Sequence, residues 1–226
     1  PLFEACVARP VNRTERTSNP KAMAAIQKEW KRLRDITCWD ESQPAEWADV
    51  ARWYRERGIE AHVGRIFDIL VEKGSELPEN DPARKFKGRV VFQGNNVWDA
   101  NWEVALFQDL SSSPATMEAG KAADFYGCLP GNDVEQSDAE QAYTQTKLKG
   151  VPTYVRLPPD QWPQEWRDRG FKDPVCPLIL ALYGHPDSGG FWEKHCEEHV
   201  FKLGFVRIPG WPSCFWHPKW RLFLVI

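Results

Sequence analysis

Residues 62–72, HVGRIFDILVE, and residues 85–94, KFKGRVVFQG, flank the stretch GSELPENDPAR at 74–84. The flanking runs are rich in Val, Ile and Phe, which pack well on a pleated surface. The stretch between them is dense in Gly, Pro, Asn and Asp, which supply turn conformations. The reading is a long β-hairpin. In its second arm Lys85, Lys87 and Arg89 differ by two, so a strand points all three to one face, with Arg84 just ahead of them. Such a face suits a triphosphate or a phosphate backbone. A charged edge strand that resists pairing with other chains shows the same pattern.

Upstream of the hairpin the period changes. Asn19 followed by Pro20 is a helix start, and Ala22, Ile26, Trp30 and Leu33 then share one face of a helix running to about residue 34. Pro44 opens a second amphipathic segment with Trp47, Val50, Ala51 and Tyr54 on one face, closed by Gly58. Downstream, Ser113-Pro114 predicts a helix carrying Met117, Ala122 and Phe125, which ends near Pro130-Gly131. A short strand is expected over 134–138. A loop over 184–190 leads into a helix marked by Phe191, His195 or Cys196, and Leu203, ending before Gly204. The runs FVRI and WRLFLVI read as strands. Helices and antiparallel strands mix without a βαβ rhythm, so the fold class is α+β.

The composition is that of a folded chain, with 42% hydrophobic and 27% charged residues in 226. Twelve Trp and twelve Phe suit a large core, base stacking or a partner groove. A net charge of −3 means that a polynucleotide would be held by a local basic patch rather than by a global field. No apolar run reaches the ~20 residues of a membrane span, and no signal pattern opens the chain, so a soluble protein is expected. Cys6, Cys38, Cys128, Cys176, Cys196 and Cys214 are scattered without a CxxC pair and read as free thiols in a reducing compartment. Pro1 and Ile226 read as cuts in a longer polypeptide.

Five segments, in order, carry a resemblance. AMAAIQKEWKRLRDITCW at 22–39 matches an A-M-x-x-E-x-x-x-L lead-in ending in Trp. KFKGRVVFQG is similar to K-x-K-A-R-L-V-x-x-G, and QSDAEQAY at 136–143 to Q-x-D-x-x-x-A-F or -Y. TYVRLPP at 153–159 is similar to V-Y-M-x-x-P-P, and ALYGHPDSGGFWE at 181–193 to L-Y-G-L-K-Q-S-P-x-x-W. Together they resemble the reverse transcriptase of copia-type retrotransposons.

The resemblance implies an RNA-directed DNA polymerase, with a helical lead-in over 1–60 and the fingers and a truncated palm over 61–226. It implies nucleotidyl transfer by two divalent ions, Mg²⁺ or Mn²⁺, with Asp138 as the catalytic, metal-bridging carboxylate. Lys87 and Arg89 would clamp the incoming triphosphate, and Tyr143 would stand where a ribose 2′-hydroxyl projects. Tyr183 and Gly184 would meet the nucleotide sugar and the templating base. The implied partners are a primed RNA or DNA template, deoxynucleoside triphosphates and the rest of a polyprotein. No membrane is involved, and the location is intracellular, cytoplasmic or nuclear.

Two departures accompany these matches. Gly189 stands where the family usually has Pro. The family continues a strand like LFLVI into Tyr-Val-Asp-Asp, whereas this chain stops at Ile226, so the polypeptide as given is expected to be inactive. A non-catalytic nucleic-acid-binding or structural remnant is the alternative. A rival metal site, His195-Cys196-Glu197-Glu198-His199, fits the H-x-x-E-H string of zinc peptidases, against which stands a plain helical face.

Overall fold

The computed structural model describes residues 7–107 and 113–226. Its helices are α1 (Arg13–Ser18), α2 (Pro20–Asp35), α3 (Trp47–Glu56), α4 (Met117–Gly127), α5 (Gln164–Asp168) and α6 (Ser188–Lys202). The strands are β1 (Ala8–Pro10), β2 (Ala45–Glu46), β3 (His62–Lys73), β4 (Lys85–Phe92) and β5 (Trp98–Asp99), then β6 (Thr153–Arg156), β7 (Pro174–Pro177), β8 (Val206–Arg207), β9 (Cys214–His217) and β10 (Leu222–Val225). Helices and strands mix as an α+β fold requires. The chain divides into two compact units, Pro1–Leu106 with Leu148–His185 and Phe107–Lys147 with Pro186–Ile226.

The first unit is built on the hairpin. β3 and β4 pair antiparallel from Ile66↔Phe92 to Lys73↔Lys85. β3 is also the hub of a larger sheet, in order β1-β3-β6-β7-β2 with β5 on β3 as well. The pairing of β3 with β6 is parallel, from His62↔Thr153 to Arg65↔Arg156, so the sheet is mixed rather than wholly antiparallel. A parallel neighbour needs a long crossover, and here the chain between β3 and β6 passes through the second unit before returning.

Helix α2 forms where its start signal stands. The Asn19 side chain accepts from the N–H of Lys21 and Ala22, and Pro20 occupies the first turn, where its missing N–H costs nothing. Ala22, Ile26, Trp30 and Leu33 are all buried, and each large side chain contributes about 1.5–3 kcal/mol by leaving water. The helix lies directly on β4 because Gly88 lacks a side chain: a Cβ there would sit 2.8 Å from the Ala25 carbonyl oxygen. Trp30 Nε1 donates to Asp68 of β3 at 3.0 Å, and Arg16 of α1 grips the same carboxylate. At the far end of the hairpin the buried carboxylate of Glu72 accepts from Arg9 (2.7 Å) and Arg84 (2.9 Å), which fastens β1 and the 74–84 turn to β3. Arg84 and then Arg9, against the opposing effect of burial, hold Glu72 below the usual carboxylate range. Helix α3 packs through Trp47 and Ala51 with Ala61, Val63, Ala100 and Val175, and Val50 and Tyr54 close the edge of that cluster. Gly58 takes φ +61 just beyond α3, as a closing glycine should.

The second unit holds α4, α6 and an antiparallel sheet in order β10-β9-β8. Tyr126 ties α4 to the sheet by donating to the Arg221 carbonyl (2.8 Å) and by an edge contact with Trp216. Two sequence expectations fail in this unit, the start of the helix and the strand over 134–138. Helix α4 starts at a Thr116 cap rather than at Ser113-Pro114. It packs through Ala119, while Met117 and Phe125 face outward, because small side chains allow the close approach. Residues 134–138 form no strand: the chain is irregular and exposed from 131 to 141, where Val134 is the one large apolar residue and no face exists to bury.

The described Cys38, Cys128, Cys176, Cys196 and Cys214 are free thiols, while Cys6 lies outside the described residues. Burial pushes the thiols of Cys38 (to about 12) and Cys176 up, which leaves both unreactive. Among the described residues no helix is long and apolar enough to cross a membrane.

Candidate nucleotide site on the hairpin

The register of the hairpin decides which side chains share its outer face. Opposed residues on antiparallel strands point the same way, so Lys85, Lys87, Arg89 and Val91 of β4 stand beside Lys73, Val71, Ile69 and Phe67 of β3. Lys85, Lys87 and Arg89 are exposed, whereas Gly88, Val90 and Phe92 on the opposite face are buried against the core. A column of cations therefore runs beside a column of apolar side chains in which Phe67 and Ile69 remain 41% and 43% exposed. The sequence reading of β4 missed this second column, since the pairing register alone reveals it.

Tyr183 and Gly184 meet the same hairpin. The Phe92 N–H donates to the Tyr183 carbonyl at 2.7 Å. Gly184 follows at φ +89, and a Cβ on it would stand 2.1 Å from the Phe92 carbonyl oxygen, so a side chain is excluded twice over, by conformation and by space. The Arg89 guanidinium lies 5.4 Å from the centre of the Tyr183 ring, a cation–π approach that orients both groups. His185, next in the loop, is buried with its ring 5.0 Å from Phe92. Burial, with a smaller push from His62, lowers its pKa from 6.5 to about 4, so it is neutral near pH 7.

Below this face lies a cleft of 550 Å³ lined by Arg65, Phe67, Gln93, Arg156, Trp162 and Asp173 among others. Arg156 is committed there to Asp173 through two bonds of 2.6 and 2.8 Å.

Asp138 and Tyr143 belong to the second unit. Asp138 is exposed in irregular chain and makes no hydrogen bond or ion pair among the described residues. Gln141 adopts φ +56, and Ala142–Gln145 form a 3-10 turn that half-buries Tyr143. No group of three or more His, Cys, Asp or Glu side chains able to hold a metal ion occurs among the described residues. A lone exposed carboxylate does not organise two divalent ions, so the described residues do not complete the implied metal centre. The same finding counts against the zinc-peptidase string. His195 and His199 do lie one turn apart on α6, but the His199 Nδ1 is held by the His195 carbonyl at 2.8 Å and no third ligand joins them.

No protein-family model matches the chain, and neither does any curated protein or solved structure.

Proposed function

We propose that this chain is part of an RNA-directed DNA polymerase of the copia retrotransposon type. In this reading the outer face of its hairpin receives the phosphates of an incoming deoxynucleoside triphosphate. The observation that carries the reading is the meeting of Arg89 with Tyr183 and of Phe92 with Gly184. Two segments that resemble the family separately, and lie far apart in the sequence, share one surface. Lys87 and Arg89 supply charged donors there, and Gly184 permits close backbone approach. Asp138 is assigned as one metal-binding carboxylate and Tyr143 as the side chain that senses the sugar. Mg²⁺ or Mn²⁺, a primed template and the remainder of an intracellular polyprotein complete the assignment.

Titration with dTTP and Mg²⁺, followed by tryptophan fluorescence, tests the phosphate site. Lys87→Ala and Arg89→Ala are each expected to weaken binding by about 1–3 kcal/mol, the worth of a charged hydrogen bond, without lowering Tm. Unchanged affinity in both variants would assign these cations to solubility instead.

A second reading, a non-catalytic nucleic-acid-binding or structural remnant, is favoured by one observation: among the described residues Asp138 joins no group of three or more His, Cys, Asp or Glu able to hold a metal ion. It keeps the hairpin face and drops the chemistry.

A further inference from the structure

β3 has an open stretch on the side away from β4. The Arg65 carbonyl accepts from Gln93 N–H, and the Leu70 carbonyl accepts from Val11 N–H at 3.0 Å. Odd-numbered residues of the strand therefore bond towards β4, and even-numbered ones bond away from it. On that far side β1 pairs only as far as Pro10↔Val71 and β6 only as far as Arg65↔Arg156. Both neighbours then leave the sheet, β1 into the Asn12 cap of α1 and β6 into Pro158-Pro159, where proline has no N–H to offer. Between them the N–H and C=O of Asp68 face outward, and among the described residues no backbone group meets them. The space beside them is a cavity of 700 Å³ between α1 and Pro158–Asp160, lined by Val11, Arg13, Met23, Phe67, Leu70 and both prolines among others.

From this geometry we infer that the slot takes an extended polypeptide segment of a partner protein as one more strand of the sheet. Four positions, 66–69, have no ladder partner on this side of β3 and span about 13 Å at strand rise, with Asp68 presenting its N–H and C=O at their middle. A donor and acceptor presented side by side in a strand edge are matched by another extended main chain, a mode of recognition in which backbone bonds hold and alternate side chains select. Val11, Met23, Phe67, Leu70 and the two prolines give the slot apolar walls that Thr17 and the charged Arg13, Arg16, Asp68 and Asp160 interrupt, so the inserted side chains alternate apolar and polar. Charge selects the ends. Arg16 is neutralised by Asp68 and Arg156 by Asp173. Arg13 at the β1 end and Arg65 at the β6 end carry no ion pair among the described residues, against the single carboxylate of Asp160. The preferred segment is therefore apolar at its centre and acidic at its ends. This inference does not depend on the polymerase reading, although Phe67 borders both the slot and the outer face of the hairpin.

The test uses the peptide Ac-Glu-Val-Thr-Val-Glu-NH2, followed by fluorescence polarisation and by amide hydrogen exchange. In the free chain the Asp68 amide should exchange much faster than its neighbour Ile69, which bonds to β4, and the peptide should slow it. Binding is expected at tens to hundreds of micromolar, weakened about tenfold when the central amides are N-methylated, and about fivefold by Arg13→Glu. A Lys-ended analogue should bind more weakly still. The inference is overturned by absence of binding at about 1 mM, by equal binding of the N-methylated peptide, or by an Asp68 amide already protected in the free chain. Displacement of the peptide by oligo-dT without any loss on N-methylation would show a polyanion site and overturn it equally.

Discussion

The hairpin and the segment around Asp138 carry the same resemblance in the sequence reading, yet one is built into a sheet and the other is exposed irregular chain. In β4 every second residue faces the core: Gly88 against α2, and Val90 and Phe92 buried. Around Asp138 most residues are Asn, Asp, Glu, Gln and Ser, and Val134 alone offers a large apolar side chain. A motif names residue types, whereas a strand also needs a partner and something to bury. The difference separates a cationic face fixed by strand pairing from an exposed carboxylate that no element holds in place.

Glycine substitution gives the sharpest way to break that comparison. Gly184 and Gly131 both adopt positive φ, at +89 and +83, but only Gly184 is crowded. Gly184→Ala should cost at least about 3 kcal/mol, because strain in the backbone adds to a clash with the Phe92 carbonyl. Gly131→Ala should cost about 1 kcal/mol, from conformation alone. Urea unfolding of the two variants checks this, and equal losses would mean that the Tyr183-Gly184 loop is not seated on β4.

Acidification should act on the same loop. His185 has a folded pKa near 4, below its ordinary 6.5, so the unfolded chain binds the proton more readily. The stability it contributes is full above pH 6.5 and is lost as pH falls, by about 2 kcal/mol at pH 5. His185→Leu should flatten the unfolding free energy across pH 6.5–5, and a curve identical to that of the parent chain would contradict the burial of His185.

The smallest effect belongs to the exposed segment. Asp138→Asn should change stability by less than about 0.5 kcal/mol, since the side chain is exposed and makes no hydrogen bond or ion pair among the described residues. A larger loss on thermal unfolding would mean that Asp138 is tied down in solution.

Helices α2 and α3 and the hairpin of the first unit were legible because their signals are local, whereas the short α1 and α5 were not read. The Asn19-Pro20 cap, the Ala22, Ile26, Trp30 and Leu33 stripe and the turn-rich 74–84 stretch each lie within one element. The shared face of Lys85, Lys87 and Arg89 followed from strand period alone. What stayed hidden depends on distant partners. The parallel joining of β3 to β6, the approach of Tyr183 to Arg89 and the open slot beside Asp68 have no local signature. The outward turn of Met117 and Phe125 was equally hidden, because hydrophobic period shows that a face exists without showing which face is covered.

Primer extension on an RNA template with Mg²⁺ tests the polymerase reading most directly, in a polypeptide that carries this chain followed by the Tyr-Val-Asp-Asp segment. The account predicts template-directed extension that Asp138→Asn abolishes while the fold is kept. Full extension by the Asp138→Asn protein would contradict it, as would a well-folded parent protein with no extension at all.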